Sequence, residues 1–187
     1  MKNPYAIGRH VYLRTPTTED AAGPWHEWFS DEETTRYLGL RFMPNSVEDQ
    51  LAFLNSVRGA TDRIVLAIVD IETDKHIGVC NLSAINWVHR YSDIAVIIGD
   101  KQFKSGPYVT DAVSVLLRTA FERLNLRILR SFYVETNEAS EVIHKLFRFE
   151  EVGRTPDMIW DRDRYVAMVS TVLRREVWQR RRSGHSS

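Results

Sequence analysis

The chain has 187 residues, and lysine plus arginine balance aspartate plus glutamate at 25 each. That length fits one domain whose core needs no staple, and 43% hydrophobic with 27% charged residues excludes a disordered chain. Zero net charge lacks the basic surplus of a nucleic-acid binder, the lone Cys80 excludes a disulfide framework and a Cys-rich zinc site, and no apolar run of roughly 18 residues offers a membrane helix.

Val11–Arg14 reads as a first strand. Thr17–Asp20 opens a helix with Thr and Asp available to cap it, and Trp25, Trp28 and Phe29 follow at helical spacing. Ser30–Glu33 starts another short helix, which carries Tyr37 and Leu38. Ser46–Asp49 opens a third, with Val47, Leu51, Leu54 and Val57 on one face and Gly59 as its stop. Ile64–Val69 is a continuous apolar run suited to a buried strand. A turn at Glu72–Lys75, a strand over His76–Ser83 and another over Asp93–Gly99 follow. Thr110–Leu124 is the clearest amphipathic helix, with Val109, Ala112, Val113, Leu116, Leu117, Ala120, Phe121 and Leu124 on its apolar face. Leu129–Glu135 predicts a strand, Asn137–Phe147 a helix and Tyr165–Leu173 a last strand. This order predicts a mixed sheet with helices packed on it. Residues 1–178 are expected to form one domain, and 179–187, with Arg180-Arg181-Arg182, a flexible polar tail.

Two segments carry chemistry. Ile97-Ile98-Gly99 leads through Asp100–Ser105-Gly106-Pro107 into Tyr108-Val109-Thr110, a strand running through a small-residue loop into a helix N-terminus. Such a loop lets backbone amides approach an anion, and the helix dipole favours the charge. Lys104 adds a positive side chain, although an ordinary strand-to-helix turn has the same outline. The second segment is Asn137-Glu138-Ala139-Ser140, followed by Phe149-Glu150-Glu151-Val152-Gly153. Further landmarks are Asp31–Tyr37, His76-Ile77-Gly78, Ile85–Arg90, Arg164-Tyr165-Val166 and Leu173–Trp178. In this order, from Val11 to Trp178, the chain resembles N-acetyltransferases of the GNAT superfamily. It resembles the branch that includes ribosomal-protein N-terminal acetyltransferases and polysaccharide-cluster amino-sugar N-acetyltransferases.

The resemblance implies a GNAT fold, α/β (α+β). Its mixed central sheet would have about six to seven strands, splayed in the middle, with helices on both faces. It implies transfer of acetyl from acetyl-CoA, a co-substrate used without metal, to a primary amine of a small molecule. An amino sugar or nucleotide-linked amino sugar is the expected acceptor, acetylated by direct attack. Ile97, Ile98 and Gly99 would present backbone to the pantetheine arm, and Lys104, Ser105, Gly106, Tyr108, Val109 and Thr110 would cradle the pyrophosphate. Asn137 would hold the cofactor arm, and Ser140 would meet the thiol as acid or contact. Asp93 occupies the position of an acidic base, and its alternative is a plain strand-edge carboxylate. His144 lies one turn after Ser140 and is either a proton donor or a packing histidine. His89, with Asn86 and Trp87, sits in a loop that would face the acceptor, as would Arg36. Trp25, Trp28 and Phe29 read better as core than as a sugar platform, and Cys80 as a buried small hydrophobe.

Two departures stand out. Ser105-Gly106-Pro107 replaces the Gly, any residue, Gly or Ala of relatives, and Pro107 brings no N–H. Arg148 replaces the glycine that ends the helix before Phe149 in a left-handed turn. They leave room for a second reading, a non-catalytic binding protein of the same fold, and peptide N-terminal acetylation is a third. The N-terminus has no signal-peptide run, so a cytoplasmic protein is expected, and the resemblance allows a homodimer.

Overall fold

Runs of branched and aromatic residues become the central strands of a single mixed sheet. The computed structural model describes residues 1–39 and 43–183, with side chains as far as Arg180. Its strands are β1 (Ala6–Ile7), β2 (Val11–Arg14), β3 (Ile64–Asp70), β4 (His76–Asn86), β5 (Tyr91–Ile98), β6 (Ile128–Val134), β7 (Glu150–Asp161) and β8 (Arg164–Arg174). They lie in the order β1-β2-β3-β4-β5-β6-β8-β7. Neighbours are antiparallel except for β5 and β6, which are parallel.

One face of the sheet carries α1 (Thr18–Asp20), α2 (His26–Ser30), α3 (Glu32–Thr35) and α4 (Val47–Val57). The expected caps are in place. Thr17 caps α1 in a reciprocal bond with Asp20, Asp31 caps α3, and Ser46 caps α4 with Asp49. Trp25 and Trp28 are buried against Val79 and Leu54, so the two tryptophans are core. The other face carries α5 (Tyr108–Arg118), α6 (Glu138–Leu146) and α7 (Arg175–Ser183). Under them Leu116, Leu117, Phe121, Leu129 and Phe147 form the main core, which also holds Cys80. Burial pushes the Cys80 thiol pKa up, so it is an unreactive packing group.

Three sequence expectations are revised. The sheet has eight strands among the described residues, against an expected six to seven. β7 went unseen because nearly all of its residues are exposed on both faces, which leaves no alternation, and Pro156 interrupts it. α5 starts at Tyr108 ahead of the expected Thr110, and it widens into a π-type turn over Thr119–Arg123. Arg175 closes that turn by donating to the Phe121 and Leu126 carbonyls at 2.6 and 2.9 Å. Within the expected flexible tail, residues 179–183 continue α7, whose Trp178 is buried on Phe121 at 5.3 Å between ring centroids. The remaining tail positions, 184–187, lie outside the described residues.

Candidate active site

The site begins where β5 and β6 part. Their parallel ladder comprises Tyr91 with Ile128, Ser92 with Leu129 and Asp93 with Arg130. Beyond it β5 runs on to Ile98 paired only with β4, and β6 runs on to Val134 paired with β8. The two strands thus open a gap with unpaired backbone on the β5 side. Strand geometry decides which residues serve it. Gly99 N–H donates to the Ile77 carbonyl at 3.0 Å, so Gly99 and, by alternation, Ile97 direct their polar groups to β4. Val96 and Ile98 direct theirs into the gap. Of the expected trio, Ile98 therefore meets the opening, and Val96 is a residue that the sequence reading missed. No local signal gives it, because which alternate set of β5 residues faces the gap depends on the pairing with β4.

At the foot of the gap the chain turns through a short 3₁₀ segment, Lys101–Phe103, capped by Asp100. Gly106 has φ 88° and takes the left-handed position of this loop, whereas Ser105 has no positive φ. Pro107 stands just before α5 with φ −84°, and the first intrahelical bond runs from Asp111 N–H to the Pro107 carbonyl at 2.9 Å. The amides of Tyr108, Val109 and Thr110 precede that bond, and no side chain caps the helix. Three donors and the positive end of the dipole therefore meet at the expected anion position. Lys104 reaches Thr34 Oγ1 at 3.1 Å, which ties the loop to α3. Asp111 accepts from His10 N–H at 2.6 Å and Val11 N–H at 3.0 Å, which anchors the first turn of α5 to β2.

Across the gap, Asn137 caps α6 by accepting from Ser140 N–H at 3.1 Å, which leaves its amide nitrogen outside the cap. Ser140 Oγ lies 3.4 Å from His144 Nδ1, so the structure brings these two residues together. His144 Nδ1 also faces the Ser140 carbonyl at 2.7 Å and must carry the proton, because a carbonyl only accepts. Its Nε2 then accepts from the Ser131 hydroxyl at 2.9 Å. Burial lowers the His144 pKa below the usual histidine range, partly opposed by the Ser140 bond. It is a neutral ring packed between Tyr133 and Phe149, at 4.9 and 5.0 Å.

The opposite face of the fork has a different character. Ile94 and Leu129 enter the core under α5, so Asp93 and Arg130 point to the other side of the sheet. There Arg130 Nε donates to Asp93 Oδ1 at 2.6 Å, and its guanidinium lies over Tyr91, 4.7 Å from the ring centroid. The His89 ring lies parallel to that of Tyr91, with 6.5 Å between centroids. Asn86 accepts from His89 N–H at 2.8 Å and shapes the turn, and the half-exposed Trp87 donates to the Thr61 carbonyl at 2.8 Å. Arg36 is held by Asp161, through Nε at 2.9 Å and Nη2 at 2.8 Å. Asp161 also accepts from Thr136 Oγ1 at 2.6 Å, and Tyr37 donates to the Thr136 carbonyl at 3.0 Å. The Arg36 guanidinium, with Thr136, holds the Asp161 carboxyl at a pKa of about 2. Tyr37, Thr136 and Asp161 thus fasten the N-terminal helices to the β7–β8 hairpin above the end of β6. No local spacing pointed to this cluster, because its members are far apart in sequence. Among the described residues no group of His, Cys, Asp and Glu could hold a metal ion.

A family model described as an acetyltransferase (GNAT) domain matches residues 10–150. Spermidine N-acetyltransferase from Vibrio cholerae, solved with CoA and spermine, superposes with TM-score 0.82 at 16% identity, covering 91% of this chain and 98% of its own. The acetyltransferase (GNAT family) from Bacillus anthracis gives TM-score 0.76 at 16% identity with the same coverage, 91% and 98%. A dodecameric structure of the Vibrio cholerae enzyme gives TM-score 0.77 at 17% identity, covering 92% of this chain and 98% of its own. No curated protein matches the sequence significantly. The structural likenesses establish the fold, and the family match spans most of the chain. This protein belongs to the GNAT family of acetyltransferases, enzymes that use acetyl-CoA.

Proposed function

We propose that the chain transfers acetyl from acetyl-CoA to a primary amine of a small molecule, an amino sugar or nucleotide-linked amino sugar. One observation carries the reading: the stretch of β5 beyond Asp93, unpaired on its β6 side, leads through one turn to the three uncapped amides of α5. That is a track of backbone donors and acceptors ending in an anion cradle, which suits a pantetheine arm followed by a pyrophosphate. Val96 and Ile98 would pair with the arm, and the amides of Tyr108, Val109 and Thr110 would receive the phosphates beside Lys104. Asn137 would steady the arm with its free amide nitrogen, and the Ser140 hydroxyl would protonate the departing sulfur.

Acetyl-CoA supplies an activated thioester carbonyl. The chain's task is then to place the amine and take its proton. Asp93 stands at the fork and would accept that proton, directly or through water, while Arg130 keeps the carboxylate oriented. His144 is assigned a packing role here, because both its nitrogens are engaged. Trp87 and Phe132, 49% and 61% exposed, offer flat apolar faces for a sugar ring. Three carboxylates around this opening are already paired: Asp93 with Arg130, Asp161 with Arg36, and Asp31 with Lys101. The pairing of these three lowers the pull on a polycation such as the spermidine of the Vibrio cholerae enzyme and favours an acceptor of lower positive charge.

Calorimetric titration with acetyl-CoA, desulfo-CoA and CoA tests the first half, with micromolar binding expected. Absence of heat at millimolar ligand would overturn it in favour of a non-catalytic protein. A thiol-release assay then compares glucosamine, a nucleotide-linked amino sugar, spermidine and a short peptide. Turnover of an amino sugar supports the proposal, and preference for spermidine or the peptide would refute the acceptor assignment.

A further inference from the structure

Two buried rings outside the reacting centre bear on the same site. β4 carries one extra residue: Ile68 stands opposite Gly78 and Val69 opposite His76, so Ile77 bulges between them. The Ile77 carbonyl receives two amides, Gly99 N–H at 3.0 Å and Asp100 N–H at 3.1 Å. These are the first residues after β5, so one carbonyl sets the direction in which the chain leaves the strand for the anion cradle. His76 closes the bulge by donating from Nε2 to the Gly78 carbonyl at 2.9 Å. Trp28 lies flat on Gly99, where an added Cβ would fall 2.0 Å from the indole. The two rings touch, with centroids 4.9 Å apart.

This assembly is costly for a core. His76 is 8% exposed, and its Nδ1 has no hydrogen-bond partner. That atom lies 3.3 Å from Asp20, which is itself buried and gripped by Arg14 at 2.5 and 2.8 Å. An apolar residue of similar volume would fill the space without stranding a polar atom. Buried polar groups that forgo such relief are best attested where they fix a register.

We infer that His76 and Trp28 are positioning residues for acetyl-CoA, acting through the Ile77 carbonyl and Gly99 to fix where the anion-binding loop begins. The inference rests on the acetyl-CoA reading above. It does not make either residue a ligand contact. Loss of either ring would let the β5 end swing and misplace the amides of Tyr108, Val109 and Thr110 relative to Val96 and Ile98.

The test compares wild type with His76→Leu, His76→Gln, Trp28→Leu, Gly99→Ala and the double variant Gly99→Ala/Trp28→Leu. Each is measured below its own melting temperature, for desulfo-CoA affinity and for the KM of acetyl-CoA and of acceptor. His76→Leu and Trp28→Leu are expected to raise the acetyl-CoA KM and the desulfo-CoA Kd about tenfold or more. The acceptor KM and kcat at saturation should change little. His76→Gln, which keeps a side-chain N–H donor, should recover part of the loss. Gly99→Ala should weaken desulfo-CoA binding, and adding Trp28→Leu should restore some of it, because the clash is then gone. Lower stability with unchanged desulfo-CoA affinity would overturn the inference and leave the acetyltransferase reading standing. If His76→Leu does not fold, strictly additive effects in the Gly99/Trp28 cycle would overturn it. Failure of wild type to bind desulfo-CoA would overturn both.

Discussion

Arg148 offers a sharp test of the local physics. It sits just beyond α6 with φ 62°, the left-handed region where a side chain is strained. Both bonds of the helix-ending motif are nevertheless made, Phe149 N–H to the His144 carbonyl at 2.9 Å and Arg148 N–H to the Lys145 carbonyl at 3.0 Å. The accompanying contact between the third-last and following residues is the His144–Phe149 ring pair at 5.0 Å. The arginine side chain is exposed and forms no ion pair among the described residues. Arg148→Gly therefore removes strain of roughly 1–2 kcal/mol and loses no side-chain bond. The greater freedom of glycine in the unfolded chain returns about 0.4–1 kcal/mol of that. The midpoints of these ranges leave a net gain of about 0.8 kcal/mol, which for a domain of this length raises Tm by about 2–3 °C. Scanning calorimetry of the two proteins measures it. An unchanged or lower Tm would refute the cap argument. A tenfold weaker acetyl-CoA Kd would instead identify Arg148 as a phosphate contact.

Other perturbations probe the remaining groups. Asp161→Asn removes a carboxylate whose folded pKa is about 2. Its contribution to stability is present above the ordinary value of about 3.9 and lost as pH falls towards about 2, so wild type and variant should differ at pH 7 in urea unfolding and converge near pH 2. Asp20→Ala leaves Arg14 buried without its partner and should cost about 3–5 kcal/mol by the same assay; a loss under about 1 kcal/mol would mean the pair adds no more than a surface one. Asp93→Asn should lower kcat by about a hundredfold or more with acetyl-CoA affinity retained, and an unchanged kcat would remove Asp93 as the base.

The sequence and the structure agree where burial imposes a period. The apolar run from Ile64 and the Val113–Leu117 face of α5 are read correctly because each buries one continuous surface. β7 and α7 escape for the opposite reason. β7 is an edge strand exposed on both sides, and the charge of α7 hides the anchor Trp178. The candidate site divides in the same way. The loop into α5 and the Asn137 cap are local patterns, visible as residue types at fixed spacing. The end of the β5–β6 ladder at Asp93 and Arg130 is a tertiary fact, so the role of Val96 and the pairing of Asp93 were not legible. The same holds for Arg36, whose partner Asp161 lies in the missed hairpin.

The anion loop shows how far a departure from a familiar pattern weakens a site. Read as letters, Ser105 and Pro107 remove two glycines from a phosphate loop. Read as backbone, the left-handed residue is Gly106, which is present, and Ser105 adopts a conformation open to any side chain. Pro107 lacks an N–H, but it stands before the first helical residue, so the amides of Tyr108, Val109 and Thr110 remain. Its fixed φ also presets the entry to α5. Ser105→Gly should thus leave the acetyl-CoA Kd within about threefold of wild type, since one lost or gained charge-assisted bond moves it by tenfold or more. Pro107→Gly should weaken binding, because it frees the loop that the three amides depend on. Calorimetry on both variants decides. A gain of tenfold or more from either glycine would show that the loop is impaired as it stands, and would place the phosphate on the Ser105–Pro107 backbone instead of the α5 amides.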